Sequence, residues 1–406
     1  MKNKEIISRV FLKTIITVVI SVIATLILCY LFVLKDNVLM DKETFSAMYD
    51  TRVLSEIADD IENQFYGEVI PSKMELVDAA ARKMVDMLND PYAEYYTKEQ
   101  YEEFLKGFNG EYVGLGILID APNDVGALIV TVYEDSAAEK AGMQKGDILI
   151  KANGVEVANI SIDALSNLLS GVKGTILELE LKRGDETLNV SATIDEVNVK
   201  RVHSKMLNNG GKEVGYIRLD MFSSSASDEF NAAIKSLTDG GMKALIIDIR
   251  NNPGGSLLSV VDICDAIMDG GEIVRVGRSY DEGDVYLAKS GGISLPITLL
   301  INENSASASE IMAAAMKEHG IATLIGERTY GKGIVQTTLP LNSNEGYFKL
   351  TTDAYFTPNG NNIHKIGVAP DIELKLTDAQ KSLGDALYGT KDDSQLNYAL
   401  ENIFKD

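Results

Sequence analysis

Ala244-Leu-Ile-Ile-Asp-Ile-Arg-Asn-Asn-Pro-Gly-Gly255 decides the architecture of this chain. Its first half is a short, almost wholly apolar run, as strands buried on both faces of a sheet are. Asn251-Asn-Pro-Gly-Gly255 then turns the chain tightly, and residues 256–268 continue as a helix. The same rhythm recurs on either side. Residues 214–219 read as a strand and 226–237 as a helix. Ile297-Thr-Leu-Leu-Ile301 repeats the buried strand, and residues 307–318 read as a helix ended by His319-Gly320. Strands alternating with helices predict an α/β domain whose chemistry sits at strand-to-helix loops.

The second of those loops, Asn302-Glu-Asn-Ser-Ala-Ser-Ala-Ser-Glu310, offers Ser305, Ser307 and Ser309 at the head of a helix. Helix N-caps favour serine, so capping and chemistry compete for all three, and side-chain chemistry alone does not separate them. A serine hydroxyl becomes a nucleophile when a neighbouring base takes its proton, and backbone N–H groups at a helix start can hold the resulting oxyanion. Gly331-Lys-Gly-Ile-Val-Gln336 supplies a candidate base in Lys332. For that role burial must lower its pKa from about 10.4 to about 7–8, at a cost of roughly 3–5 kcal/mol. On a strand, Lys332, Ile334 and Gln336 share one face, so Gln336 is placed to hold a neutral amine. Gly326 to Lys332 also has the glycine and lysine spacing of a phosphate-binding loop. However, Gly333 stands where a magnesium-binding Ser or Thr belongs, and a strand-like run follows instead of a helix. A histidine base would have to come from His203, His319 or His364, none of which lies in a suitable motif.

Between residues 99 and 194 the texture changes to short strands and glycine turns. Gly114-Leu-Gly-Ile117, Ser136-Ala-Ala-Glu-Lys-Ala-Gly142 and Gly146-Asp-Ile-Leu149 with Asn153-Gly154 resemble a PDZ domain. The resemblance implies that a substrate's terminal carboxylate meets backbone N–H groups while its chain extends a sheet edge. The implied peptide contacts are Tyr112, Val113, Gly114, Leu115, Gly116 and Ile117, with Leu165 and Leu169 from a short helix at 161–169.

The chain has 406 residues, 45% hydrophobic, with a net charge of −22, which suits several soluble units and argues against nucleic acid as a partner. Thr14 to Leu34 carries no charge and is long enough to cross a bilayer. Lys2, Lys4, Arg9 and Lys13 precede it, whereas Asp36, Asp41 and Glu43 follow, so the positive-inside rule leaves the rest of the chain outside the cytoplasm. No small-x-small cleavage site follows, so an uncleaved, single-pass anchor is expected. Two helices, at about 48–65 and 73–88, come next. Cys29 lies in the span and Cys264 beyond it, so no structural disulfide is expected. No His or Cys cluster has metal-ligand spacing, and no cofactor is expected.

Taken together these motifs resemble the tail-specific, or C-terminal processing, peptidases. Asn89-Asp-Pro-Tyr-Ala-Glu-Tyr-Tyr96 is similar to that family's Asp-Pro-x-Ser-x-Tyr signature, with Ala93 in place of serine. Residues 248–255, 305–310 and 331–336 match the motifs of its protease core, as does Thr357-Pro-Asn-Gly-Asn-Asn-Ile363 followed by Gly367-Val-Ala-Pro-Asp371. The resemblance implies a crotonase-like α/β core in which Ser307 is the nucleophile, Lys332 its base and Gln336 a supporting amide. The implied oxyanion donors are Ala308 and either Gly254 or Gly255. It further implies a homodimer paired through N- and C-terminal helices. Ser170 stands before Gly171-Val-Lys-Gly-Thr175, where many relatives have arginine, which weakens any expectation of signalling through that residue. The expected layout is an anchor over 1–40, a helical segment over 41–98, a PDZ domain over 99–193, a protease core over 194–376 and a helical tail over 377–406. No additional wall-binding domain is expected after that tail.

Overall fold

The computed structural model describes residues 2–36, 42–342 and 346–405; the expected anchor boundary at residue 40 and the flanking Asp41 lie outside them. The chain divides into two compact units, residues 1–84 and 85–406. In the first, helix Lys2–Asp36 contains an apolar stretch, Phe11–Leu28, in which every side chain is exposed. Helices Lys42–Gln64 and Lys73–Asp86 follow, as the apolar spacing predicts. Leu54, Ile57 and Ile61 of one face Leu76, Val77 and Ala80 of the other across an apolar groove.

The second unit holds three larger sheets and a two-stranded one. The six-stranded core sheet runs in the order Val202–Asn209, Lys212–Leu219, Ala244–Asp248, Ile297–Ile301, Ala322–Gly326, Ile372–Glu373. Every pairing after the first is parallel. Side-chain alternation divides these strands between two cores. Leu245, Ile247, Leu299 and Ile301 pack with helices Ala226–Asp239, Leu257–Ile267 and Ala308–Glu318. Ala244, Ile246 and Leu300 pack instead with Leu396 and Ala399 of helix Ser394–Asn402. Helices on both faces are why residues 244–248 and 297–301 read as almost wholly apolar runs.

A second, antiparallel sheet is absent from the sequence reading except for one strand. It joins Glu94–Thr97, Gly346–Phe356, Gly271–Gly277 and Asp284–Ala288, with Ile334–Pro340 also paired to Gly346–Phe356. The glycine-rich region folds into a third sheet, Ile117–Ile119, Ala127–Val132, Ile148–Ala152, Ile176–Arg183 and Glu186–Thr193 in spatial order, around a core containing Leu115, Ile129, Leu149 and Leu165. Residues 98–109, expected to open this strand-rich region, form a helix instead. Thr97 caps it, its hydroxyl accepting the Gln100 N–H while Gln100 reciprocates on the Thr97 N–H.

The C-terminal helix is locked to the core by one buried ion cluster. Arg250 has no exposed side-chain surface, lies across the Tyr388 ring at 3.9 Å and forks onto both Asp248 and Asp393. Its Nη1 also donates to Gln395 Oε1 at 2.7 Å. Tyr216 donates its hydroxyl to Asp248 at 2.7 Å, so the charges inside the fold are matched by directed hydrogen bonds.

Candidate active site

Both decisive loops leave the carboxyl ends of neighbouring parallel strands, where open α/β sheets gather their chemistry. Asn252 ties them together. Its carbonyl accepts the Ala306 N–H at 3.0 Å and the Ser309 hydroxyl at 2.9 Å. Its side chain accepts the Gly254 N–H at 2.9 Å and donates to Leu219 O at 2.8 Å.

The three serines now separate. Ser305 is fully buried; its Oγ donates to Ile249 O at 2.8 Å and accepts the Asn302 N–H at 3.0 Å. Ser309 is equally buried and committed to Asn252. Both are structural. Ser307 alone lines a cavity of about 440 Å³, together with Ala308, Gly255, Lys332 and Gln336. Its backbone sits at φ 55°, ψ −114°, a conformation that side-chain-bearing residues seldom adopt and that costs about 1–3 kcal/mol. The following helix Ala308–Glu318 begins there, so the strained residue presents its hydroxyl at the helix start.

Gly254 and Gly255 have φ of 103° and 139°. A Cβ on Gly254 would lie 2.7 Å from Ala306 O and 2.8 Å from Ser307 Cβ; one on Gly255 would lie 2.3 Å from Phe222 O. Only glycine permits this approach of the two loops. The Gly254 N–H is already engaged by Asn252. Among the described residues the N–H groups of Gly255 and Ala308 have no hydrogen-bond acceptor.

Lys332 is half-buried in the wall opposite. Burial pushes its ammonium below the usual lysine range and repulsion from Lys349 adds to this, while Asp90 and Glu310 pull the other way. Period-two alternation does not explain how Lys332 and Gln336 come together. The strand begins only at Ile334, Lys332 precedes it in a loop, and a bulge falls between Val335 and Gln336. Both side chains reach the cavity nonetheless. The Gln336 amide donates to Thr351 Oγ1 at 3.2 Å.

Glu310 is the residue that the sequence reading did not single out. Wholly buried, it accepts the Ser307 N–H at 2.9 Å and the Lys332 N–H at 2.8 Å on Oε2. Its Oε1 accepts the Thr329 hydroxyl at 2.6 Å and the Gly331 N–H at 2.7 Å. One carboxylate thus clamps the nucleophile's backbone to the lysine's. Tyr355 closes the same corner, its hydroxyl donating to Ser307 O at 3.2 Å, and its phenol is pushed well above the usual range by burial beside Glu310. The three-residue interval from Ser307 to Glu310 is that of a capping box, the one local signal that pointed to this role.

In the glycine-rich domain, Ile117–Ile119 is an edge strand, paired among the described residues only with Ala127–Val132. Tyr112 and Val113 are exposed on strand Glu111–Gly114, which pairs with Asp195–Asn198. Leu115 and Leu165 are buried in the domain core, whereas Ile117 and Leu169 are half-buried. Gly116, at φ 79°, lets the loop pass within a Cβ's reach of Ser136.

A family model described as Peptidase family S41 matches residues 213–374, and one described as PDZ domain matches residues 128–183. The carboxy-terminal processing protease CtpA of Bacillus subtilis is 34% identical over 331 residues, 81% of this chain and 70% of that one. This chain belongs to the S41 family of carboxy-terminal processing proteases. A CtpA-like protein of Staphylococcus epidermidis is 34% identical over 307 residues, 75% of this chain; the chain spans about three fifths, 61%, of that longer relative. A solved structure described as an S41 protease of Bacteroides fragilis shares the fold at 17% identity, with a TM-score of 0.58 over 86% of this chain and 96% of that one.

Proposed function

We propose that this S41 chain is a membrane-anchored serine endopeptidase that cuts protein substrates near their C-termini. The observation carrying this reading is that Ser307, alone of three adjacent serines, faces a cavity shared with a half-buried lysine. Neutral Lys332 takes the Ser307 hydroxyl proton as Oγ bonds to the scissile carbonyl carbon. The carbonyl electron pair moves onto oxygen, which the N–H groups of Gly255 and Ala308 receive; of the two candidate glycines, Gly255 is favoured because the Gly254 N–H is occupied. Collapse of that adduct expels the amine, which leaves with the proton from Lys332, and water then hydrolyses the ester. Gln336 orients the amine once it turns from Thr351.

The PDZ domain holds the substrate's terminal carboxylate at the 114–117 loop and adds its chain to the open edge of Ile117–Ile119. The Bacillus subtilis relative is named for carboxy-terminal processing, and that specificity is taken over here. Helix Lys2–Asp36 anchors the chain once, with the catalytic unit outside the cytoplasm, on the strength of its exposed apolar surface and the basic residues before it. The apolar groove of the N-terminal helices serves pairing of two copies, whereas helix Ser394–Asn402, the other expected pairing element, spends Leu396 and Ala399 on this chain's own core. The 194–376 bound fits this division of labour, whereas helix Lys98–Asn109, which stacks Tyr101 on Tyr347 of the antiparallel sheet, starts the PDZ domain later than residue 99.

The test is incubation of the full chain, in detergent micelles, with a loosely folded protein, followed by mass spectrometry of the products. Peptides released from the substrate's C-terminal end, lost in both Ser307→Ala and Lys332→Ala, are expected. Cleavage that survives Ser307→Ala would overturn the assignment.

A further inference from the structure

The amine of Lys332 has a seat of its own. Its Nζ lies over the ring of Tyr92, 4.3 Å from the centroid, and among the described residues it has no hydrogen-bond partner. Tyr92 belongs to the Asp90-Pro-Tyr92 turn, where Asp90 Oδ1 accepts the Tyr92 N–H at 2.9 Å. The turn leads directly into strand Glu94–Thr97, which is zipped to Gly346–Phe356, the strand that also pairs with Ile334–Pro340. The ring is therefore carried on the same sheet as the loop that bears the lysine.

The groups around this amine come from every neighbouring element: Asp90 from the turn, Glu310 from the nucleophile helix, Lys349 from the adjoining strand and Tyr330, beside the Tyr92 phenol, from the preceding loop. Neither carboxylate reaches Nζ. Glu310 is occupied by the Ser307, Gly331 and Lys332 N–H groups and the Thr329 hydroxyl, and Asp90 accepts the Tyr92 N–H and engages Thr351. Lys349 is held away by Glu94 at 3.0 Å and by the Tyr96 hydroxyl at 2.8 Å.

We propose that Tyr92 is a positioning residue for the general base, its ring face holding Lys332 Nζ in the cavity beside Ser307. An aromatic face attracts a cation but offers no lone pair to take its proton. It can hold the ammonium of the resting enzyme without the strong stabilisation that a directly paired carboxylate would give the charged form. Once the amine is neutral the attraction ends, and Nζ is free to turn to the Ser307 hydroxyl. After it accepts that proton, the ring again favours it. This inference rests on the reading of Lys332 as base.

The test measures the rate of Ser307 labelling by a fluorophosphonate between pH 6 and 10, on the full chain in detergent micelles. Wild type, Tyr92→Phe and Tyr92→Leu are compared, with melting temperatures recorded for each. Tyr92→Phe keeps the ring and is expected within about twofold of wild type, with the same pH midpoint. Tyr92→Leu keeps apolar bulk but loses the ring face. It is expected to label about 10–100-fold more slowly at its plateau, with the midpoint moved to lower pH by roughly half a unit, because the charged form has lost a partner. A slower Tyr92→Leu with an unmoved midpoint would reduce Tyr92 to packing. A Tyr92→Phe as impaired as Tyr92→Leu would put the effect in the hydroxyl. Either result overturns the inference while leaving the dyad intact. Failure of the dyad itself would show in the wild type, as labelling that is absent or indifferent to Lys332→Ala.

Discussion

At the scale of single residues, three serines with the same neighbours do three different things. Ser305 and Ser309 spend their hydroxyls on Ile249 O and Asn252 O, whereas Ser307 carries backbone strain and faces open space. This division predicts opposite responses to substitution. Ser305→Ala leaves the buried Asn302 N–H without its acceptor and should cost about 1–3 kcal/mol, read as a lower midpoint in urea unfolding. Ser307→Gly removes the Cβ that makes φ 55° costly and should raise stability by about 1 kcal/mol while abolishing turnover. A destabilised Ser307→Gly would mean that the strained backbone is not what the helix start stores. The choice among the serines could not be read from their own chemistry. It depends on which carbonyl each hydroxyl meets, and those carbonyls lie 56 and 57 positions earlier in the chain.

At the scale of elements, the buried strands 244–248 and 297–301 and helices 257–267 and 308–318 were legible because apolar runs and periodicity are local signals. The antiparallel sheet built by Gly271–Gly277, Asp284–Ala288 and Gly346–Phe356 was not. Gly346–Phe356 is half-buried along most of its length and mixes Lys349, Thr351, Thr352 and Asp353 among its apolar residues, so no clean alternation marks it. The helix Lys98–Asn109 did carry local signals, with Tyr101, Phe104, Leu105 and Phe108 at helical spacing and Thr97 and Gln100 as a capping box, and reading 99–194 as strand-rich passed over them. The C-terminal helix gives this scale its own prediction. Arg250→Met leaves Asp248 and Asp393 facing each other in a dry interior. The loss should be about 3–5 kcal/mol, because breaking a buried pair strands the partner charge. A melting temperature unchanged by Arg250→Met would show that the Tyr216 hydroxyl on Asp248 and the Gly389 and Leu396 N–H groups on Asp393 suffice to hold both carboxylates.

At the scale of the whole molecule, three parts of the chain suit separable roles. An exposed apolar helix suits a membrane, an open-edged sheet suits a peptide end, and a strained serine beside a half-buried lysine suits bond cleavage. The glycine-rich domain has its own acid sensitivity. Arg183 forks onto Asp147, with Nε 2.7 Å from Oδ1 and Nη2 2.7 Å from Oδ2, and this holds the Asp147 carboxyl below the usual range. A carboxyl with a depressed pKa in the folded state binds its proton more readily when unfolded. Its contribution is therefore complete above about pH 4 and is lost as pH falls through the folded value. Asp147→Asn should lower stability at pH 7 and flatten the fall below pH 4, as followed by far-ultraviolet circular dichroism of the full chain across pH 2–7. An acid limb identical to wild type would exclude this pair as its source.

The most direct test of the central claim is peptide mapping by mass spectrometry after a fluorophosphonate has reacted with the full chain at pH 8 or above, where the lowered pKa of Lys332 leaves more of its amine neutral. A single adduct on Ser307, with neither Ser305 nor Ser309 modified and with labelling lost in Lys332→Ala, is the predicted result. An adduct on either neighbouring serine, or one on Ser307 that forms equally well without Lys332, would contradict the account.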